Sequence, residues 1–152
     1  MTDFDYSQPG AYFITVCVKD RKPMLGTVVG ADDHIGPYTK LSVIGKVVKK
    51  YTDAIPEIAD YVIMPNHVHM ILRISATNIL EGPMWSSTPT NATVTQMLRT
   101  WKTLITKEIG ESIWQRSYYD HIIRNEADYI AVRRYIENNP AKWCEDKYYP
   151  GY

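Results

Sequence analysis

The sequence predicts an α+β fold in which an antiparallel sheet packs against helices. Three observations support this prediction. Residues 11 to 19, AYFITVCVK, alternate with a period of two and are rich in β-branched and aromatic side chains, as strands are. Two further apolar runs, ADYVIM and HVHMILRI, are separated only by Pro65 and Asn66, which favour a turn and therefore a hairpin. Three other segments carry helical periodicity.

The three helices are predicted from apolar residues spaced three or four apart, which form one stripe on each helix. The segments are YTKLSVIGKVVKKYTDAI, TVTQMLRTWKTLITKEIG and EADYIAVRRYIEN. Gly110 ends the second helix, and Asn125 and Pro140 bracket the third. The stripes consist of Leu41, Ile44, Val48 and Tyr51; of Val94, Leu98, Trp101, Ile105 and Ile109; and of Tyr129, Val132 and Ile136.

A last strand is predicted from Tyr118 to Ile123, which gives the order β, α, β, β, α, β, α. This order resembles a ferredoxin-like sandwich, with the helices packed on one face of the sheet and the other face free for a ligand. Residues 76 to 93 have no clear period, are rich in Ser, Thr, Asn and Pro, and predict a long loop that includes Trp85. The length of 152 residues predicts a single domain, 1–152.

The composition restricts the classes of protein that fit. Lys plus Arg and Asp plus Glu number 17 each, so nucleic-acid binding would have to depend on local charge. Cys17 and Cys144 lie far apart and form no CxxC pair, which argues against a disulfide framework. No apolar run approaches about 18 residues, and the first ten residues do not resemble a signal peptide, so a cytoplasmic location is expected.

The histidine pair in YVIMPNHVHMILR is the first candidate for chemistry. His67 and His69 lie two residues apart on a predicted strand, so both side chains point to one face, together with Ile71 and Arg73. That face is expected to be accessible, because the alternate residues are apolar and can pack under helices. Two adjacent imidazoles can ligate a divalent metal, although a short HVH motif also occurs as two ordinary surface or core histidines.

The C-terminal helix supplies the second candidate pair. Tyr135 and Asn139 lie at i and i+4, one above the other on the helix, where a phenol nucleophile and an amide-oxygen metal ligand could act together. The alternatives are a tyrosine that packs at the edge of the core and an asparagine that ends the helix before Pro140. His34 and His121 have no such pairing and are interpreted as structural or surface residues.

Four segments in this order closely resemble the REP-associated tyrosine transposases, relatives of the insertion-sequence-200 type within the HUH single-tyrosine nuclease superfamily. They are FITV, MPNHVHMIL, WQRSYYDHIIRNEADY and RRYIENNPAKW, and the resemblance covers roughly residues 5 to 143. It implies that His67 and His69 are metal ligands and that Tyr135 is the nucleophile. Asn139 occupies the third ligand position, where several relatives carry Gln, Glu or Asp.

The resemblance also implies a cofactor, a substrate and an assembly. It implies Mg²⁺ or Mn²⁺, a 5′-phosphotyrosine intermediate, and single-stranded DNA with a hairpin or palindromic repeat; the active species would be a monomer or a homodimer. Tyr118 and Tyr119 compete for the role of nucleophile but lack a partner ligand at a fixed spacing. The expected DNA-binding residues, each of which could instead belong to an ordinary solvated or packed surface, are Arg99, Lys102, Trp114, Arg116, Tyr118, Arg124, Arg133 and Arg134.

Two other functions remain open from the sequence. The chain could be a non-catalytic domain that holds a nucleic-acid strand on its sheet, although it lacks the aromatic pattern of RNA-recognition domains. It could also be a metal-dependent phosphodiesterase that uses bound water, in which case Tyr135 would be dispensable. A covalent adduct on tyrosine distinguishes these alternatives from a tyrosine transposase.

Overall fold

The computed structural model describes residues 10–29, 38–74 and 92–140. Within these residues the chain forms six strands and three α-helices. The strands are β1 (Gly10–Cys17), β2 (Gly26–Val29), β3 (Tyr38–Leu41), β4 (Ile58–Met64), β5 (His67–Ile74) and β6 (Tyr119–Ile123). The helices are α1 (Val43–Asp53), α2 (Ala92–Ile109) and α3 (Glu126–Asn138).

The main sheet contains four antiparallel strands in the order β4-β5-β1-β6. Helix α1 lies in the connection from β1 to β4, and α2 lies in the connection from β5 to β6, so each helix joins two strands that are separated by a third. This arrangement is the ferredoxin-like order. The predicted α+β class, the antiparallel sheet and the hairpin at Pro65 and Asn66 are therefore confirmed.

The helices lie on both faces of the sheet, which corrects the expectation that they share one. The larger core contains Val68, Met70 and Leu72 of β5 and the apolar stripe of α2. A second core on the opposite face joins Ile71 and Ile123 to Val132 and Ile136 of α3. Ile71 makes the histidine face partly apolar, and α3 covers that part of the face because its own stripe must also be buried.

A small sheet of β2 and β3 was not predicted. The pattern from residue 38 onward predicts one helix, but Tyr38–Leu41 pair with Gly26–Val29, and α1 begins only at Val43. Ser42 sets this boundary, because its hydroxyl accepts a hydrogen bond from the Gly45 N–H (3.0 Å) and donates one to the Met24 carbonyl (2.7 Å). Of the predicted loop 76–93, residues 76–91 lie outside the described residues, and Ala92 and Thr93 belong to α2.

Among the helices of the described ranges, none combines the length and the apolar character that crossing a membrane requires.

Gly45 is required by the close approach of α1 to the chain that precedes β2. A Cβ atom at position 45 would overlap the Leu25 carbonyl oxygen and crowd the Leu41 side chain. Gly45→Ala should therefore lower the free energy of unfolding by about 1–3 kcal/mol, although alanine normally favours a helix. Denaturant unfolding measures the change. Lys46→Ala, at an exposed position of the same helix, is the control and should change stability by less than about 0.5 kcal/mol. A Gly45→Ala variant as stable as wild type would contradict the close approach of α1 to Leu25.

Candidate active site and nucleic-acid interface

The two histidines of β5 lie at the centre of the sheet beside β1. The antiparallel register sets His67 opposite Cys17 and His69 opposite Thr15. Both imidazoles are buried, with His67 0% and His69 1% exposed, so the prediction of an accessible pair is wrong. Phe13 stacks on the His69 ring with a centroid distance of 5.3 Å and is part of the cover. The period of two therefore predicts correctly that His67 and His69 share a face, but it does not predict that they are buried.

Hydrogen bonds orient both imidazole rings. The amide nitrogen of Asn66 donates to the Arg21 carbonyl at 3.2 Å, so the amide oxygen of Asn66 faces His67 Nδ1, 2.7 Å away. In the neutral imidazole, His67 Nδ1 therefore donates and His67 Nε2 carries a lone pair. The Nε2 atoms of the two histidines are 3.0 Å apart, and His69 Nδ1 lies 2.8 Å from the Thr15 hydroxyl.

The spacing of the two Nε2 atoms fits a shared divalent cation. Two adjacent ligands of an octahedral cation, each about 2.1 Å from it, would lie about 3.0 Å apart. The observed separation is 3.0 Å. In the described part of the chain, no group of three or more histidine, cysteine, aspartate or glutamate side chains could hold a metal. A third protein ligand from the described residues would therefore have to be another type of donor.

Asn139 offers such a donor. Its side chain is 3% exposed, and its amide nitrogen donates to the Tyr135 carbonyl at 2.7 Å. Its amide oxygen is buried and has no hydrogen-bond partner within the described residues. A buried acceptor without a partner is uncommon, and amide oxygen suits a hard cation. Asn139 also caps the end of α3, which is the role that its alternative interpretation predicts. It keeps helical dihedral angles (φ −57°, ψ −47°) although Pro140 follows it.

Tyr135 lies between the histidine pair and solvent. Its ring packs edge-on against His69 and Phe13, with centroid distances of 5.2 and 5.9 Å, and the residue is 45% exposed. The ring is therefore held against His69, and the residue remains accessible to solvent. Tyr118 faces the opposite side of the sheet, where its hydroxyl contacts Thr95 of α2 at 3.1 Å. Tyr119 is exposed at the start of β6, opposite Thr15.

A groove beside α2 brings together four of the predicted DNA-binding residues. Its volume is about 410 Å³, and its lining includes Arg99, Lys102, Arg116 and Tyr118. Lys107, which lies on the same helix and is not among the predicted DNA-binding residues, adds a further cation to the groove. The remaining wall is largely hydroxyl-bearing, from Thr95, Thr103, Thr106 and Ser112.

Lys102 is the partly buried member of this groove. Burial lowers the pKa of its ammonium group. The same ammonium donates hydrogen bonds to the Gln115 carbonyl at 3.0 Å and the Arg116 carbonyl at 3.4 Å, and so ties the segment before β6 to α2. Lys102 therefore combines a structural role with its contribution of positive charge.

The other predicted DNA-binding residues lie elsewhere. Arg124, Arg133 and Arg134 are exposed and lie on α3 or just before it, across the sheet from the groove. Arg133 also forms ion pairs with Asp60 at 3.7 Å and Glu137 at 3.6 Å. Surface pairs of this kind contribute little to stability.

Trp114 lies in the core and not on the surface. It is 3% exposed and packs on Trp101 with a ring centroid distance of 4.8 Å, inside the larger core. The prediction that it contacts DNA is therefore wrong, and its alternative as a packing residue is observed. His121 is a surface residue, as expected, and lies 2.9 Å from the Asp128 carboxylate. His34 and Trp85 are outside the described residues.

The family follows from a match that spans the fold and the site. The family model described as "Transposase IS200 like" matches residues 9–139, which include the histidine pair, Tyr135 and Asn139. The chain belongs to the IS200-like transposase family.

The chain is also similar to individual proteins, two of which are named as REP-associated tyrosine transposases. An uncharacterized protein of Haemophilus influenzae is 31% identical, over 96% of this chain and 88% of its own length. A REP-associated tyrosine transposase of Escherichia coli K12 is 28% identical, over 90% of this chain and 70% of its own length. A solved structure of a REP-associated tyrosine transposase bound to a REP hairpin is 25% identical, with a TM-score of 0.57 over 97% of this chain and 77% of that one.

Proposed function

We propose that this transposase cleaves and rejoins single-stranded DNA that carries a hairpin, with Tyr135 as the nucleophile. The observation that carries the proposal is the contact of the half-exposed Tyr135 ring with the buried His69, one of the two histidines of the pair. Family membership supports DNA strand transfer as the reaction. The similar transposase solved with a REP hairpin supports hairpin DNA as the partner.

The reaction exchanges one phosphoester for another. The Tyr135 oxygen attacks the scissile phosphorus, and the bond from phosphorus to the 3′ oxygen breaks. The phenol loses its proton, and the departing 3′ oxygen gains one. The products are a 5′-phosphotyrosine and a free 3′-hydroxyl. Attack of a 3′-hydroxyl on the phosphotyrosine then restores a DNA phosphodiester and the phenol, so rejoining needs no other energy source.

The chain's own residues hold the reacting groups in place. Packing against Phe13 and His69 holds the Tyr135 ring, and the 45% exposure of this residue would leave it accessible to a DNA strand. We assign a divalent cation, Mg²⁺ or Mn²⁺, to His67, His69 and the amide oxygen of Asn139. Its chemical contribution would be to polarise the scissile phosphate and stabilise negative charge as the tyrosine attacks.

The two faces of the molecule suggest separate roles in DNA binding. The groove beside α2 supplies cations for backbone phosphates, as a hairpin stem would present them. The segment that lines it leads directly into β6, an edge strand whose Tyr119 pairs with Thr15, and Thr15 contacts His69. We therefore propose that the stem binds in the groove and that the single strand passes around this edge to Tyr135.

The site also bears on the active assembly. Tyr135 contacts His69 of its own chain, so one subunit supplies both the proposed nucleophile and the histidine pair. We therefore propose that a single subunit is sufficient for cleavage and that a shared site in a homodimer is not required.

Tyr135→Phe should abolish the covalent DNA adduct and cleavage, because it removes the attacking oxygen while the ring packing remains. DNA affinity should stay within about twofold of wild type, since no phosphate-binding cation is lost. The assay is a denaturing gel of end-labelled hairpin DNA after incubation with Mn²⁺, followed by peptide mass mapping of the adduct.

Tyr38→Phe is the matched control for that experiment. Tyr38 is 46% exposed, close to the value for Tyr135, but lies in the small sheet, so its variant should form the adduct normally. Cleavage that persists in Tyr135→Phe without an adduct would favour the phosphodiesterase instead. An adduct that maps to Tyr118 or Tyr119 would reassign the nucleophile.

His67→Ala combined with His69→Ala should abolish Mn²⁺ binding and metal-dependent cleavage, because both nitrogen ligands are removed. Mn²⁺ binding can be followed by the electron paramagnetic resonance signal of the free ion. Asn139→Asp is the companion variant. It should retain or tighten binding, since carboxylate is the stronger ligand for a hard cation. Undiminished activity of the double variant would refute the metal site.

Arg99→Ala combined with Arg116→Ala should weaken DNA binding and reduce its dependence on salt. If each arginine neutralises one phosphate, the slope of log K against log salt should become shallower by about 1.8. Fluorescence anisotropy with hairpin DNA over a salt series measures this slope. Lys40→Ala removes an exposed cation from β3 as a control and should leave the slope unchanged; an unaltered slope in the double variant would remove the groove from the interface.

A further inference from the structure

We infer that Thr15 is a positioning residue for the metal site, because its hydroxyl lets the His69 ring carry its proton on either nitrogen. The inference rests on the proposed metal site and concerns a residue on β1, outside the proposed ligands. The contacts that carry it are the Thr15 hydroxyl to His69 Nδ1 (2.8 Å) and His69 Nε2 to His67 Nε2 (3.0 Å).

The hydrogen bond from His67 to Asn66 fixes the position of the proton on the neutral His67 ring. The Asn66 amide oxygen faces His67 Nδ1 at 2.7 Å, and that oxygen can only accept. The amide cannot be reversed without loss, because its nitrogen donates to the Arg21 carbonyl at 3.2 Å. Neutral His67 therefore carries its proton on Nδ1 and presents a lone pair at Nε2.

In the metal-free protein, the contact with His67 determines which nitrogen of His69 carries the proton. At 3.0 Å, the contact between the two Nε2 atoms requires one donor, and His67 Nε2 is an acceptor. His69 therefore carries its proton on Nε2 in this state. Its Nδ1 is then an acceptor, and the Thr15 hydroxyl donates to it.

In the metal-bound protein, the His69 proton has to lie on the other nitrogen. Both Nε2 atoms must now offer lone pairs, so the single His69 proton has to reside on Nδ1. The Thr15 hydroxyl then rotates and accepts from Nδ1, which a hydroxyl can do because it is both a donor and an acceptor. The proton changes its atom, while the number of protons on the protein and its charge stay the same. Thr15 is buried, so bulk water does not replace its hydrogen bond to His69 Nδ1.

Thr15→Val tests this role, because valine preserves the shape and the β-branch but cannot hydrogen-bond. Metal binding makes the Nδ1–H a stronger donor, so the metal-bound state loses more than the metal-free state when the hydroxyl is removed. The variant should bind Mn²⁺ about 10–100-fold more weakly. Thr15→Ser restores a hydroxyl and should bind within about threefold of wild type. Paramagnetic resonance of free Mn²⁺ gives each affinity without reference to cleavage.

Nuclear magnetic resonance of ¹⁵N-labelled imidazoles gives a second measurement, independent of activity. Metal-free wild type should carry the His67 proton on Nδ1 and the His69 proton on Nε2. With saturating Mg²⁺, both protons should lie on Nδ1. Thermal unfolding of Thr15→Val should remain cooperative, which separates the effect on the metal from a folding defect.

The outcomes distinguish this inference from the function on which it depends. Wild-type protein that binds no Mn²⁺, or binds it equally well without both histidines, overturns the metal site and the role of Thr15 together. Wild type that binds Mn²⁺ through the histidines while Thr15→Val binds equally tightly overturns the role of Thr15 alone. A His69 proton found on Nδ1 already in the metal-free protein has the same consequence.

Discussion

The register between β1 and β5 is the constraint on which the rest of the structure depends. It sets Thr15 beside His69 and Cys17 beside His67, and β1 also pairs with β6 on its other side. Because side chains alternate between faces, a slip of one residue would turn both histidines into the apolar core and move Val68 to the opposite face. The same register therefore determines the core, the orientation of the imidazoles and the edge along which β6 meets the site.

The two faces of the sheet divide stability from chemistry. The face under α1 and α2 carries the larger core, in which Trp101 and Trp114 pack against each other. The opposite face buries two imidazoles and an amide, and burial of such groups costs free energy unless they are hydrogen-bonded. Asn66 and Thr15 offset that cost for the histidines. The unpartnered oxygen of Asn139 is the part of this face whose burial the described residues do not compensate.

The numbers of acidic and basic residues are equal, but their charges are distributed unevenly over the surface. On the surface formed by α1 and α2, Glu108 accepts hydrogen bonds from Tyr51 and Lys50, which lower the pKa of its carboxyl group. Asp53 is similarly engaged by Lys49 and Tyr61. Several acidic groups are thus neutralised locally, while cations collect along the groove beside α2. Local pairing, more than net charge, decides where a polyanion can bind.

The sequence by itself determined the features that depend on neighbouring residues along the chain. The turn residues Pro65 and Asn66 between two apolar runs predicted the hairpin, and side-chain alternation predicted the shared face of His67 and His69. Helical spacing predicted α2, α3 and the i, i+4 placement of Tyr135 and Asn139. Only the tertiary structure decided that the histidines are buried, that α3 covers their face, that residues 38–41 form a strand and that Trp114 lies in the core. Periodicity reports which side chains point the same way, whereas burial depends on which remote element packs against them, and no local pattern contains that information.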